Sequence, residues 1–409
     1  MKQWDHLNQV LDRFVENGVL TGCGMQIIYD GQMVYNRCAG AATVDGTRPF
    51  TEDTRLRMHS MSKTFTCAGL MTLYEKGLFT LNDPVAEYLP EFSNPMVCVS
   101  DTDINNVVPA KTPITIRQLL SMTSGLTYWG FWPGRGLIED DILASVKEIA
   151  EDVKNGKPYE LADFVKLIAR KPLCFQPSER WHYGLSHTVA GRLIEVLSGK
   201  RLSEYMRETI WEPLELERTC FSNSVPDPGE IADLTVSQEL CGVLGLEVGK
   251  DVFPAASGKA YGSRRDVLPG TNLGIELPCG GMISTLHDLG RYYSMFANGG
   301  SWNGTRILSR RTIDLMRANQ LTPDQLPDFT QMINRGFGYG LGYRTMLHPE
   351  TAGFYLPEGT FGWDGACGCF GAANPDHRLA FVFAEQSLPH HIDYTIPRVV
   401  AAMNADMEI

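Results

Sequence analysis

The sequence predicts an α/β (α+β) two-domain protein, in which an antiparallel β-sheet is flanked by terminal helices and a mainly helical domain is inserted. Three observations support this. Strand-like segments lie near both ends, helix-like segments begin and end the chain, and the middle is dominated by helical patterns and loops. We assign residues 1–58 and 285–409 to a discontinuous sheet domain and residues 59–284 to the helical domain with long active-site loops.

The first elements follow from periodicity and turn signals. A helix is predicted over about residues 3–17, and GMQIIYDGQMVYNRCAG predicts two strands joined by Asp30-Gly31, a pair typical of two-residue hairpins. Apolar residues then recur at helical spacing over residues 62–74, and Gly77 is placed to end that helix.

The remaining elements divide into helices and then strands. TIRQLLSMTSGL, ADFVKLIARK, HTVAGRLIEVLSG and LSEYMRETIW predict helices, and a Gly/Pro-rich stretch at about 224–280 predicts long loops near a site. FGYGLGYRTM, GWDGACGCFGAA and RLAFVFAEQ predict strands, with a turn at 374–376 and a last helix over about 394–405. This order places the sheet edge at a domain interface, where pockets form.

The composition excludes several functional classes. The chain has 409 residues, 43% hydrophobic and 21% charged, and a formal net charge of -12. That charge argues against nucleic acid or an anionic membrane surface as the main partner. The longest apolar runs are too short for a membrane span, and the N-terminus lacks the pattern of a signal peptide. We therefore expect a cytoplasmic protein acting on a small molecule, with its oligomeric state left open.

The ten cysteines predict free thiols rather than a disulfide framework, because they are scattered over a long chain without a leader. Cys367 and Cys369 are the only close pair, and no other residues complete a set with zinc-ligand spacing. We expect no metal site.

The segment RLRMHSMSKTFTCAGLMTLYEKGLF contains the first candidate for chemistry. Ser60 and Lys63 are three residues apart, so they share one helix face. A serine hydroxyl is a weak nucleophile that needs an adjacent base, and the helix N-terminus favours developing negative charge on Ser60. By itself the pair is more often an N-cap serine beside a solvated lysine.

Two further segments add candidates. Tyr183, in RWHYGLSHTVAGRLIEVLSGK, precedes an amphipathic helix and is placed to relay a proton to a leaving group, although a buried tyrosine is more often a core residue. In FGWDGACG, Gly365 permits close approach of a backbone, and the Ala366 amide could join the Ser60 amide as an oxyanion hole. A strand with a glycine bulge is the alternative.

In this order the segments resemble the serine β-lactamase and penicillin-binding-protein superfamily, specifically its class C β-lactamase-like branch with the family VIII carboxylesterases and transesterases. LFTLNDPVAEYLPEF, TPITIRQLLSMTSGLTY, CGGMISTLHDLGRYYSMFANGG and RGFGYGLGY are similar to further blocks, so the resemblance covers nearly the whole chain. It implies acylation of Ser60, Lys63 as its base, Tyr183 as a second acid or base, and the Ser60 and Ala366 amides as oxyanion donors. It implies no cofactor.

Two departures from the family pattern matter. Tyr183-Gly184-Leu185 lacks the polar residue that β-lactamases carry two places after the tyrosine, so Tyr261 of Tyr261-Gly262-Ser263 remains a lesser candidate. Trp363-Asp364-Gly365 begins with Trp, where β-lactamases and peptidases usually place Lys or His to anchor a carboxylate.

The tryptophan favours neutral esters with apolar groups, because it offers a stacking wall without charge, and similar W-x-G triplets occur in esterase and transesterase members. Asp364 either faces the pocket, where it would repel anions, or points to the opposite side of the strand. Trp129 and Trp132 in TYWGFWPGRG are expected to line the pocket mouth, and packing between the domains explains them almost as well.

The leading hypothesis is a serine hydrolase that forms an acyl-enzyme on Ser60, most simply a carboxylesterase on small to medium esters. It becomes an acyltransferase if an alcohol or amine replaces water. The alternatives are a β-lactamase, D-amino-acid peptidase or amidase, and a catalytically silent binding protein of the same fold. A binding protein has no need to retain Ser60, Lys63 and Tyr183 together.

Overall fold

Strands from both ends of the chain and helices from its middle make up the computed structural model, which describes residues 4–129, 136–237, 240–241, 252–254, 260–262, 273–332 and 335–407. The strands in these residues are β1 (Gly22–Tyr29), β2 (Gln32–Gly40), β3 (Leu56–Arg57), β4 (Met96–Cys98), β5 (Val107–Pro109), β6 (Cys220–Phe221), β7 (Leu234–Val236), β8 (Val252–Pro254), β9 (Ala260–Gly262), β10 (Met282–Ser284), β11 (Ser301–Trp302), β12 (Thr305–Arg306), β13 (Phe337–Tyr339), β14 (Arg344–Met346), β15 (Phe361–Asp364), β16 (Phe370–Asn374), β17 (Leu379–Ala384) and β18 (Ser387–Leu388).

The α-helices in the same residues are α1 (Asp5–Glu16), α2 (Ser62–Glu75), α3 (Ile116–Leu120), α4 (Leu137–Lys154), α5 (Leu161–Ala169), α6 (Ser186–Ser198), α7 (Leu202–Met206), α8 (Leu286–Ala297), α9 (Arg310–Arg317), α10 (Leu326–Met332) and α11 (Ile392–Met407). None of them combines the length and the apolar character that crossing a membrane requires.

A seven-stranded antiparallel sheet joins the two ends of the chain, in the order β13-β14-β15-β16-β17-β1-β2. Its N-terminal hairpin turns at Asp30 and Gly31, whose φ angles of 51° and 75° are those of a type I′ turn. β1 then pairs with β17, in the register Gly24 with Ala384 through Tyr29 with Leu379. The predicted fold class, an antiparallel sheet with helices, is confirmed.

Alternate residues of β17 enter two hydrophobic clusters on opposite faces of this sheet. Phe381 and Phe383 belong to the cluster that contains α1 and α11, whereas Ala380 and Val382 belong to the cluster that contains α2 and α8. The second cluster continues without a break from the sheet into the helical part of the chain. The predicted domain boundaries at 58/59 and 284/285 therefore stay a prediction.

Two smaller sheets lie where the predicted site residues are. β3, β10 and β6 form one, and β18, β7, β9 and β8 form the other, with β18 parallel to β7. The first supports the backbone before α2. The second packs against the turn between β15 and β16, because Leu234, Val236 and Leu388 share a cluster with Cys367.

The α2 helix itself follows its prediction. It begins at Ser62 and ends at Glu75, and Gly77 takes a φ of 69° beyond it. The Gly77 and Leu78 amides donate to the Tyr74 and Leu73 carbonyls, which satisfies the last turn. The helix is buried over almost its whole length, so the sheet and the middle helices fix it from all sides.

Candidate active site

Ser60 lies in a single 3-10 turn, His59–Met61, that leads directly into α2. The turn follows β3, which pairs with β10, and the Met58 amide donates to the Met282 carbonyl at 3.1 Å. His59 has a φ of 44°, in the left-handed region that non-glycine residues rarely adopt. Residues held in such conformations cluster at functional sites, where the surrounding packing has to maintain them.

Lys63 lies on the first turn of α2. Its Nζ is 3.1 Å from the Ser60 Oγ and donates to the Cys279 carbonyl oxygen at 2.6 Å. The lysine is 1% exposed, and the ring centroids of Tyr183 and Tyr128 lie 4.8 Å and 5.4 Å from the same nitrogen. A carbonyl and two aromatic rings therefore hold the amine within hydrogen-bond distance of the serine hydroxyl.

Tyr183 belongs to an aromatic stack beside Lys63. Its ring lies between those of Tyr128 and Trp363, with centroid distances of 6.2 Å and 5.7 Å and interplanar angles of 25° and 21°. Its hydroxyl is buried and has no hydrogen-bond partner in the part of the chain that the structure describes. Buried hydroxyls are normally paired, so this group is open to a substrate or a water molecule.

The Ala366 amide belongs to the tight turn between β15 and β16. The Gly365 amide closes this turn by donating to the Cys369 carbonyl at 2.8 Å. A Cβ on Gly365 would lie 2.0 Å from the Met58 carbonyl oxygen, so the turn lies directly against the backbone before Ser60. Across the described residues, neither the Ser60 amide nor the Ala366 amide donates to a protein acceptor. An oxyanion hole requires such a pair of available N–H groups.

Asp364 forms an ion pair with Arg344, a residue of the neighbouring strand β14. The Arg344 guanidinium also lies 4.8 Å from the Trp363 ring centroid. Burial lowers the pKa of Arg344 to about 10, so the side chain stays charged at neutral pH. Because the carboxylate has its own cation, it repels an anionic substrate less than an unpaired Asp364 would. A direct role of Asp364 in substrate binding stays a prediction.

The other predicted substrate-binding residues are placed differently. Trp129 is 1% exposed and packs against Tyr128 and Phe164, with ring centroids 4.2 Å and 6.1 Å away. Tyr128 thus separates Trp129 from Tyr183, and contact of Trp129 with substrate stays a prediction. Trp132 lies outside the described residues, and of Tyr261 only the backbone, in β9, is described.

The sequence analysis did not identify three residues of this site: Tyr128, Cys279 and Arg344. Tyr128 follows the TSGL block and stacks on Tyr183, and burial raises its pKa well above the ordinary value, so the phenol stays neutral. Cys279 contributes a carbonyl to Lys63, and its thiol lies 3.4 Å from the Tyr128 hydroxyl. The contact of Lys63 with the Cys279 carbonyl cannot be predicted from residue type, because every residue has a backbone carbonyl. The pairing of Arg344 with Asp364 cannot be predicted from their spacing in the sequence.

The two histidines that flank the candidates are held by other contacts. The His182 Nε2 lies 2.9 Å from the Thr127 Oγ1, and that hydroxyl donates to Glu139 at 2.6 Å. Burial lowers the pKa of His182. His59 is buried. Among the described residues, no group of three or more His, Cys, Asp or Glu side chains is arranged to hold a metal ion.

Comparison with known proteins extends over nearly the whole chain. Residues 7–400 match the family model described as Beta-lactamase. The chain is 26% identical to Esterase EstB of Burkholderia gladioli over 381 residues, 88% of this chain and 85% of EstB. It is 32% identical to Acyltransferase calJ of Penicillium decumbens over 198 residues, 47% of this chain and 44% of calJ.

The fold also matches solved structures. One of these is EstCE1, described as a hydrolase with promiscuous acyltransferase activity, with a TM-score of 0.77 and 22% identity. The match covers 97% of each chain. At this identity the match demonstrates a common fold.

Proposed function

This chain belongs to the Beta-lactamase family, and we propose that within it the protein is a serine carboxylesterase that forms an acyl-enzyme on Ser60. The observation that carries the proposal is the 3.1 Å contact between the Ser60 Oγ and the Lys63 Nζ, beside the Tyr183 hydroxyl, which has no partner among the described residues. A nucleophile within reach of a base, with a second acid or base next to both, is the arrangement that covalent catalysis needs. The named relatives EstB and calJ support ester chemistry.

The reaction would proceed in two halves. The Ser60 Oγ attacks the ester carbonyl carbon while its proton passes to the Lys63 amine. The carbonyl oxygen becomes an oxyanion between the Ser60 and Ala366 amides. As the C–O bond to the alcohol breaks, the Tyr183 hydroxyl donates a proton to the leaving oxygen and regains one from Lys63. Water then attacks the acyl-enzyme with the same groups in reverse.

Acyl transfer needs no additional protein group. If an alcohol or amine binds in place of water, it attacks the acyl-enzyme and takes up the acyl group. The same residues then move the protons. The partition between hydrolysis and transfer is set by the affinity of that side for the acceptor.

Trp363 supports ester substrates over β-lactams. It is 3% exposed, and its ring stacks on Tyr183, so an apolar surface stands where β-lactam-hydrolysing members carry a cation. The nearest cation in the described residues, Arg344, is paired with Asp364. A substrate carboxylate would therefore find no unpaired cation at that position.

The proposal includes a small-molecule ester as substrate, no nucleic acid partner and a cytoplasmic location. The acidic charge balance supports the absence of a nucleic acid partner, and ten cysteines that are all free support the location.

The test is intact-protein mass spectrometry after mixing with p-nitrophenyl butyrate. We expect a transient adduct of the butyryl mass on the wild type, with release of p-nitrophenol, and no adduct on Ser60→Ala. Ser62→Ala is the matched control: it removes a hydroxyl two residues further along the chain, one that accepts from the Met282 amide, and it should still be acylated.

A folded wild type that forms no adduct and releases no p-nitrophenol would refute the esterase proposal. Turnover of nitrocefin in place of the ester would favour the β-lactamase alternative. Binding of an ester without turnover, unchanged in Ser60→Ala, would indicate a catalytically silent binding protein.

A further inference from the structure

We propose that Gln386 is a positioning residue that holds the two oxyanion amides at a fixed separation. The inference rests on the proposed function, because it concerns the hole formed by the Ser60 and Ala366 amides. Gln386 lies between β17 and β18, is 6% exposed and belongs to none of the segments that the family resemblance singles out.

The side-chain amide of Gln386 binds both backbone groups of Arg57. The Arg57 amide donates to its Oε1 at 2.9 Å, and its Nε2 donates to the Arg57 carbonyl at 3.2 Å. Arg57 is the last residue of β3, an edge strand paired only with β10 among the described strands. The glutamine therefore forms the pair of hydrogen bonds that a neighbouring strand would form with the open edge of β3. Arg57, which it binds, lies three residues before Ser60.

Residues 386–387 also bind the turn that carries Ala366. The Gln386 Nε2 lies 3.7 Å from the Cys369 Sγ, and the Ser387 amide donates to the Cys367 carbonyl at 3.1 Å. The same Sγ lies 3.8 Å from the Arg57 carbonyl. One short segment thus joins the backbone before Ser60 to Cys367 and Cys369, which follow Ala366 in the turn.

Close packing between these two segments does not by itself fix where the amides point. The backbone at Gly365 lies so close to Met58 that an added Cβ would be 2.0 Å from the Met58 carbonyl oxygen, but this close approach does not by itself set the position of the turn along β3. Hydrogen bonds to both the N–H and the C=O of Arg57 define a register along the strand, since a slide breaks both at once. Gln386 supplies that register.

The register matters because oxyanion donors act over a narrow range of distances. Donors stabilise the oxyanion at about 2.7–3.1 Å from where it forms. A misplacement of about 1 Å can reduce the rate about 100-fold. Loss of the Gln386 bonds should therefore weaken transition-state binding while leaving the pocket that binds the ester unchanged.

The experiment compares Gln386→Met, which keeps the length and burial of the side chain, with the wild type. With p-nitrophenyl butyrate we expect kcat to fall about 100-fold, with KM within twofold. The inhibition constant of n-butylboronic acid, whose tetrahedral adduct places a hydroxyl in the oxyanion hole, should rise by a similar factor. A variant that is merely less folded has fewer active molecules, which lowers the apparent kcat and leaves both KM and the inhibition constant unchanged.

Gln325→Glu is the matched control. Gln325 is 5% exposed, its Oε1 accepts from the Thr322 amide at 3.0 Å and its Nε2 donates to the Ser178 carbonyl at 2.7 Å. It therefore has the same burial and bonding pattern, outside the two oxyanion segments. Gln386→Glu, tested in parallel, keeps the acceptor for the Arg57 amide and loses the donor, and it should lie between wild type and Gln386→Met.

The outcomes separate the two proposals. A folded wild type that does not turn over the ester would refute the proposed function. Turnover by the wild type, together with unchanged kcat and boronate inhibition in folded Gln386→Met, would refute the role of Gln386. Failure of both Gln386 variants to fold, while Gln325→Glu folds, would also overturn it, because the residue would then be needed for folding instead.

Discussion

Tyr183 and Tyr339 both place a buried hydroxyl without a partner in the described residues beside Trp363, but only Tyr183 lies against Lys63. At the scale of the residue, a comparison of these two tyrosines distinguishes a catalytic role of the hydroxyl from a role in packing. Both rings lie against the indole of Trp363, so removal of either hydroxyl leaves that contact in place. A difference between the two variants would therefore reflect what the hydroxyl does.

For Tyr183→Phe we expect kcat to fall by about 100-fold or more with KM nearly unchanged, because proton transfer by a positioned group contributes about 10²–10⁴-fold. Steady-state hydrolysis of p-nitrophenyl butyrate measures this. Tyr339→Phe should keep the wild-type kcat. Equal kcat values for the two variants would argue against a catalytic Tyr183 and turn attention to Tyr261.

The ion pair of Arg344 with Asp364 predicts a stability effect. The side chains are 7% and 17% exposed. Asp364→Asn leaves a buried guanidinium without its anion, and breaking such a pair costs about 3–5 kcal/mol. Urea unfolding measures the loss. Asp12→Asn, which removes the 42% exposed partner of Arg37, should cost about 1 kcal/mol or less. Equal losses in both variants would contradict the argument.

Sequence spacing predicted a contact only where the partners are close in the chain. Ser60, in the turn before α2, and Lys63, on the first turn of α2, are three residues apart, a spacing that brings side chains together on a helical backbone. Cys279, Arg344 and Gln386 meet their partners through sheet pairing and chain reversal, which no local pattern encodes. Asp364 is an example. Alternation along a strand predicts that its side chain points to one of two faces, but it does not predict that Arg344 lies on that face and pairs with it.

At the scale of elements, the turn between β15 and β16 lies against the turn before α2 more closely than any side chain would permit. Gly365→Ala places a Cβ 2.0 Å from the Met58 carbonyl, so one of the two backbones has to move. We expect acylation to slow by about 100-fold or more, because the Ala366 amide moves with the turn. Stopped-flow release of p-nitrophenol measures the acylation rate.

Gly280→Ala provides the comparison for that variant. Gly280 also lies beside His59, but its Cβ would meet the nearest atom at 3.8 Å, an ordinary contact. It should acylate at a rate close to that of the wild type. Slowing of both variants to the same extent would mean that any bulk near this backbone disturbs the site.

The elements that the sequence predicted well are those with a complete local signal. The hairpin at Asp30-Gly31 and the α2 helix with Gly77 have both a periodic pattern and a turn residue. TIRQLLSMTSGL is helical only over Ile116–Leu120, since its TSGL part turns toward the site. The long helix α4 was not singled out, although its buried Ile138, Ile142, Val146 and Ile149 follow a regular helical stripe.

At the scale of the whole molecule, the burial of His187 makes the stability of the protein depend on pH. His187 is fully buried, its Nε2 lies 3.1 Å from the Leu120 carbonyl, and burial lowers its pKa to about 3. The unfolded chain binds a proton near pH 6.5 and the folded chain does not, so stability is complete above pH 6.5 and falls as the pH drops toward 3.

Between pH 7.5 and pH 5 we expect His187 to account for a loss of about 2 kcal/mol in the free energy of unfolding. Urea unfolding at the two values measures it. His187→Gln keeps a donor for the Leu120 carbonyl and should reduce the loss by that amount. The same pH dependence in variant and wild type would assign it to other groups.

The pairing of β1 with β17 has a consequence for how the protein is made. The hairpin of β1 and β2 ends at Gly40 and β17 begins at Leu379, so the 338 residues between them are synthesised before the hairpin can pair with β17. Ser60 and Lys63 likewise precede the Ala366 turn and Gln386 by more than 300 residues. A nascent chain therefore carries its proposed nucleophile before the Ala366 amide exists to complete the proposed oxyanion hole.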